Sequence, residues 1–268
     1  MARTFSASKG SYCQLVGELP AVGPPFWVSL WIYPTATDQE ECVLFLGSAR
    51  STTSFFALLV DATRRVAATT VGPWHGRAEA KVGIPLTVGR WQPVVAQWPA
   101  TFRREVWTNS ASSFNTKTVS VPFVDTLAVG RLSSALPGAC FSGAVAHFAL
   151  GVGSLSHSQI AALLAGVDAR LVVSWPKLKA SWPFLSTDRD LLGGRQLTAY
   201  ADPGWAAGPA LIGPGSPHLA MGPEPEPSLP TGLVEAGTLW PVSAPAAQAA
   251  VSGPVCGQIV TSHHLRGK

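Results

Sequence analysis

Pro25-Phe26-Trp27-Val28-Ser29-Leu30-Trp31-Ile32-Tyr33-Pro34 is the stretch that decides how this chain folds. Successive side chains of a strand point to opposite faces. Phe26, Val28, Leu30 and Ile32 therefore share one face, while Trp27 and Trp31 share the other. Pro24-Pro25 and Pro34 bracket the run and stop it at both ends. A strand that is apolar on both faces needs cover on both, and the expectation here is that neighbouring chains supply the second cover.

The same pattern continues outward. Residues 42–46, 54–60 and 65–71 are short β-rich runs, the last two joined as a hairpin around Asp61-Ala62-Thr63-Arg64. Residues 91–98, 104–107, 117–121, 126–129 and 141–150 extend the series, which predicts a two-sheet sandwich of roughly ten to fourteen strands. One segment departs from it. Ser156-His157-Ser158-Gln159 is a capping box; Ile160, Leu163 and Leu164 then fall on one helical face, and Gly166 supplies a left-handed stop. This predicts a short helix of about two to three turns, laid by its apolar face on the sandwich. Beyond it, residues 171–175 and 180–185 read as strand or edge segments, and residues 188–200, with Gly193-Gly194, as a turn between short strands.

Composition bounds the function. The chain has 268 residues, 47% hydrophobic and only 13% charged, with 26 Gly and 23 Pro. That is about half the usual charge, and it excludes long coiled coils and charge-rich disordered tails. No apolar run is long enough for a membrane-spanning helix. The net charge of +4 is scattered; the only basic doublets, Arg64-Arg65 and Arg103-Arg104, read as charges that blunt strand edges. Without a basic stripe, nucleic-acid binding is not expected. The amino terminus lacks a signal-peptide core, which predicts synthesis without secretion. Cys13, Cys42, Cys140 and Cys256 have no metal-ligand spacing and are expected as buried reduced thiols.

A composition shift at Pro203 divides the chain into a body, 1–202, and an arm, 203–268. The arm holds eleven of the 23 prolines, including Pro223, Pro225 and Pro227, which favour extended polyproline geometry. It cannot build a core of its own. Pro223, Pro225, Pro227, Leu239 and Trp240 are its expected partner-interface residues, pairing with neighbouring subunits by addition to a sheet edge.

As an ordered series these pieces resemble the laminin-G-like, concanavalin A-like jelly rolls. Residues 25–34 resemble the family's early strand. Gly89-Arg90-Trp91-Gln92-Pro93-Val94-Val95-Ala96 resembles its W-x-x-V-A strand, and Glu105-Val106-Trp107-Thr108-Asn109-Ser110 stands in place of L-Y-V-N-G. Phe141-Ser142-Gly143-Ala144-Val145-Ala146-His147-Phe148-Ala149-Leu150 is similar to F-x-G-x-I-D-E-V-R-I, with Ala146-His147 where the family has Asp-Glu. Val173-Ser174-Trp175-Pro176 resembles the closing Y-W-P-L. The resemblance covers roughly residues 1–200 and implies an all-β, two-sheet antiparallel jelly-roll sandwich with one short helix and a Pro-rich carboxyl-terminal arm.

Among laminin-G-like chains, one without a signal core and with a short appendage is most similar to bacteriophage virion proteins. The implied function is structural and non-enzymatic: head decoration, minor capsid or tail-associated, in the virion, with capsid or tail subunits as partners and further copies of itself in the assembly. The alternative is a glycan-binding module of a phage tail or cell surface. For that role Trp74, beside His75 and Gly76, is the loop residue able to stack on a sugar, or merely to anchor the loop, and Trp107 is the second candidate. Calcium, bound by some relatives, would draw on Asp61, Asn109 and Asp125, although no acidic cluster is present and turn formation explains the same residues. No cofactor is expected. Glycoside hydrolysis needs two carboxylates placed together; Glu224-x-Glu226 lies between prolines, and Asp188-x-Asp190 has the right parity but reads as a pair of solvated turn residues.

Overall fold

The structure, a computed structural model, describes residues 1–213 apart from 18, 20–22, 36–38, 49–50, 74–75 and 133–138. Trp74, Cys256 and the arm residues Pro223, Pro225, Pro227, Leu239 and Trp240 lie outside the described residues.

The chain opens with β1 (Ala2–Phe5), β2 (Tyr12–Val16), β3 (Phe26–Pro34), β4 (Glu41–Ser48) and β5 (Ser51–Val60). Then come β6 (Val66–Val71), β7 (Arg77–Lys81), β8 (Gln92–Ala100), β9 (Arg103–Thr108), β10 (Ser112–Asn115), β11 (Thr126–Val129) and β12 (Gly143–Val152). Helices α1 (His157–Leu164) and α2 (Ala169–Val172) precede β13 (Leu178–Trp182), β14 (Thr198–Tyr200) and β15 (Gly204–Ala206). The larger sheet runs β10-β9-β8-β3-β12-β1-β15, with β13 also on β12; the smaller runs β14-β2-β11-β4-β5-β6-β7. All strand pairs are antiparallel.

The parity of β3 holds. Phe26, Val28, Leu30 and Ile32 are fully buried between the sheets, against Leu44, Leu46, Phe56, Leu58 and Val60 of the smaller one. Phe26 stacks on Trp98 at 4.6 Å between ring centroids and meets Phe56 edge-on at 5.0 Å. The Trp98 indole N–H donates to Thr70 Oγ1 at 3.1 Å, so the layers are joined by a polar contact as well as by packing.

The opposite face of β3 departs from expectation. Trp27 is covered by this chain's own helices, in a cluster with Val95, Ala149, Leu155, Ile160, Leu163 and Leu178. Trp31 and Tyr33 pack with Ala2, Ala144, Ala146 and Trp91. A third apolar layer thus supplies intramolecularly the cover that was expected from other chains. Gly151 allows it: a Cβ there would stand 2.3 Å from the Trp27 ring. The capping box forms as predicted, with Ser156 accepting from the Gln159 N–H and the Gln159 side chain accepting from Ser156 N–H at 2.9 Å. Gly166 has the expected left-handed φ of 89°.

Other expectations fail as well. Residues 171–175 are not a strand: they lie in α2 and the turn after it, because Asp168 caps that helix by accepting from the Arg170 N–H. Residues 117–121 lie outside the strands, and the edge of the sheet is formed by β10 instead. Arg104 does not blunt an edge. It is fully buried on the inner face of β9, donating to Asn115 Oδ1 at 2.7 Å and the Lys117 carbonyl at 2.8 Å.

Nor does the body stop at 202. β15 pairs with β1, Ile212 donates to the Gly166 carbonyl at 2.8 Å, and the Pro209 carbonyl accepts from His147 Nε2 at 2.9 Å. Arg3 fastens this seam, donating through Nε and Nη2 to Asp188 and through Nη1 to the Pro203 carbonyl at 2.6 Å, with Trp205 stacked on its guanidinium. Edge addition, expected of the arm toward partners, is made within the chain by residues 204–206. Cys13, Cys42 and Cys140 are buried, and burial pushes the Cys13 pKa up to about 12, so it stays a thiol.

A candidate glycan cleft on the larger sheet

Strand parity that buries Arg104 and Val106 turns Arg103, Glu105 and Trp107 outward, onto the face that α1 covers farther along the sheet. Register adds the neighbours. Gln97 of β8 stands opposite Glu105, which stands opposite Phe114 of β10; the next row is Val95, Trp107 and Ser112. Leu155, Ile160, Ser154 and His157 form the wall on the helix side. The result is an open cleft of about 340 Å³.

Its floor is a chain of fixed polar groups. The Leu155 N–H donates to Gln97 Oε1 at 2.9 Å, and Gln97 Nε2 donates to Glu105 Oε2 at 2.6 Å. These two bonds settle which way the Gln97 amide points. Arg103 Nε donates to Glu105 Oε1, so each carboxylate oxygen has one partner and retains acceptor capacity. Glu105 is nearly buried, with 7% of its side chain exposed, whereas Arg103 keeps 49%. The Arg103 guanidinium lies 5.9 Å from the Phe114 ring centroid, and that ring is 68% exposed. Trp107 is half-buried, seated against the apolar cluster under α1.

Trp107 is thus the predicted residue that the fold delivers to a cleft; Gln97, Arg103, Glu105, Phe114 and His157 were not anticipated beside it. One local signal was available. Arg103-x-Glu105-x-Trp107 places a cation, a carboxylate and an indole on one strand face.

The calcium candidates do not converge. Asp61 follows the end of β5 that pairs with Glu41, whereas the Asp125 N–H donates to the Gly47 carbonyl at the opposite end of β4. Asp61 is occupied as a turn acceptor, taking bonds from the N–H groups of Thr63 and Arg65 and an ion pair with Lys81; these contacts hold its carboxyl below the ordinary range although burial opposes them. Asn109 is exposed in the turn between β9 and β10. Among the described residues, no three His, Cys, Asp or Glu side chains gather as a metal site would require.

Asp188 and Asp190 are not solvated turn residues: they are 4% and 2% exposed. Asp188 holds Arg3, and Asp190 accepts from the Ser181, Leu192 and Gly193 N–H groups and from Arg195. Their requirement is structural, because turn and seam are both sealed from water.

No family model matches the chain, and neither does any curated protein. Solved structures do. A heptameric SAP-like pentraxin from Limulus polyphemus is 16% identical, with a TM-score of 0.51 over 65% of this chain and 88% of that one. A putative carbohydrate binding protein from Bacteroides ovatus is 14% identical, with a TM-score of 0.51 over 75% of this chain and 60% of that one. Domains LG4-5 of the mouse laminin alpha1 chain are 20% identical, with a TM-score of 0.43 over 56% of this chain and 40% of that one. The fold is the concanavalin A-like jelly roll. Within this jelly roll the W-x-x-V-A series is β8, the F-x-G series enters β12, and the cleft opens where β8, β9 and β10 run out from under α1.

Proposed function

We propose that this protein is a carbohydrate-binding module that takes its ligand in the β8–β10 cleft. The observation that carries this reading is the adjacency of Trp107 to the locked Gln97–Glu105–Arg103 chain. A sugar ring has an apolar C–H face and a polar rim. The indole offers the first a flat surface, and the fixed carboxylate, amide and guanidinium offer the second acceptors and donors that need no reordering on binding. The cleft volume falls within the range of small-ligand sites. The description of the Bacteroides ovatus structure as a putative carbohydrate binding protein lends support at the level of fold.

Binding without hydrolysis is part of the proposal. Among the described residues lining the cleft, Glu105 is the one carboxylate, and glycosidases employ two. No described residue speaks for the virion role implied by the resemblance, whose interface residues Pro223, Pro225, Pro227, Leu239 and Trp240 lie outside the described residues. The glycan alternative is the one the cleft supports.

A broad glycan array followed by calorimetry on the hits tests the reading. Saturable binding that weakens about tenfold or more in Trp107→Ala, with the fold retained by circular dichroism, is the expected result. An array without hits, or hits indifferent to Trp107→Ala, would overturn it.

A further inference from the structure

Resting on the carbohydrate reading, we infer that the cleft selects uncharged sugars and rejects uronic and sialic acids, with Glu105 as the residue that sets this preference. The charges lining the cleft are Arg103 and Glu105, in direct contact. The pair cancels at close range, so the cleft presents no net cation to draw in an acid. A ligand carboxylate that reached the outer N–H groups of Arg103 would lie beside the carboxylate already bound to Nε, and among the described residues lining the cleft no Lys or second Arg offsets that repulsion. His157 stands on the helix wall and not on this floor.

What the floor does suit is a pair of neighbouring hydroxyls. One donates to a remaining lone pair of Glu105, and the next accepts from an outer N–H of Arg103. Both protein groups are held in place, Glu105 by Gln97 and Arg103, and Gln97 by the backbone of Leu155. An ionised acceptor held in this way forms the stronger class of hydrogen bond with a hydroxyl. Trp107, one register row away, takes the ring face.

The experiment uses the full chain and six probes: xylotriose, arabinotriose, cellotriose and maltotriose as neutral sugars, and trigalacturonic acid and 3′-sialyllactose as acidic ones. At least one neutral trisaccharide is expected to bind the native protein, with both acids about tenfold weaker or more. Glu105→Gln preserves shape and removes the charge, and its single carbonyl oxygen can keep the hydrogen bond from Arg103 or the one from Gln97, not both. It is expected to weaken the neutral ligand about tenfold or more and to narrow or invert the gap to the acids. Arg103→Gln is expected to weaken the neutral ligand without any gain for acids, and melting curves establish that both variants fold. Tight, Trp107-dependent binding of an acidic probe by the native protein would overturn the preference and leave the carbohydrate reading standing. An unchanged preference in Glu105→Gln would overturn the role of that residue. Failure of all six probes, and of a glycan array, would overturn the carbohydrate reading and this inference together.

Discussion

Two arginine–carboxylate pairs in this protein do opposite things with the same chemistry. At the seam where residues 203–213 return to β1, the Arg3 and Asp188 side chains are 9% and 5% exposed, and every guanidinium nitrogen is engaged: Nε and Nη2 on Asp188, Nη1 on the Pro203 carbonyl, Trp205 on its face. On the outer face of the same sheet, Arg103 and Glu105 make one contact through Nε and leave the rest of the guanidinium, 49% exposed by side chain, toward an open cleft. A sealed pair organises a fold. A half-used pair, fixed on its protein side and open on the other, is an arrangement for holding a ligand.

Substitutions should separate the two. Replacing Asp188 by Ala leaves Arg3 buried without its counter-charge, at a cost of about 3–5 kcal/mol, measured by urea unfolding, and glycan affinity in the fraction that remains folded should be unchanged. Trp107→Ala should do the reverse, losing binding while stability falls by much less than for a fully buried indole such as Trp27, whose truncation costs about 3–5 kcal/mol. Ser156→Ala removes the cap that starts α1, the wall of the cleft, and should cost about 1 kcal/mol together with a modest loss of affinity.

The smallest effect is in pH. Burial lowers the pKa of His147 below its ordinary value, against the hydrogen bond to the Pro209 carbonyl. The unfolded chain therefore takes up this proton more readily than the folded one. The contribution of His147 is fully present above the unfolded pKa and is lost as pH falls through the folded one. The melting temperature should drop on moving from pH 7 to pH 5, and His147→Gln should reduce that drop while the cleft pair is untouched.

What was legible in the sequence was local. The β3 alternation and the Ser156 capping box each depend on residues within a few positions of one another, and both were read with correct faces and ends. What was not legible depends on register across the chain. Nothing near Arg104 reveals that Asn115 and the Lys117 carbonyl wait for it inside the sandwich, and nothing near Asp188 reveals Arg3, 185 positions away. The cleft is the extreme case. The sequence offers Trp74 and Trp107 as sugar-stacking candidates without partners for either; those of Trp107 come from three strands and a helix, and only the β8–β9–β10 register puts Gln97, Glu105 and Phe114 in one row. The cover of Trp27 is likewise set by the chain as a whole: α1 and α2 add a third apolar layer, so this indole needs no neighbouring chain.

The most direct measurement is a titration of the native protein with its best array glycan, followed through the indole N–H resonances of its tryptophans. The cleft predicts that the Trp107 signal shifts and saturates with the ligand while those of Trp27, Trp98 and Trp182, each no more than 1% exposed, stay in place. A bound sugar that leaves the Trp107 resonance unmoved would contradict it.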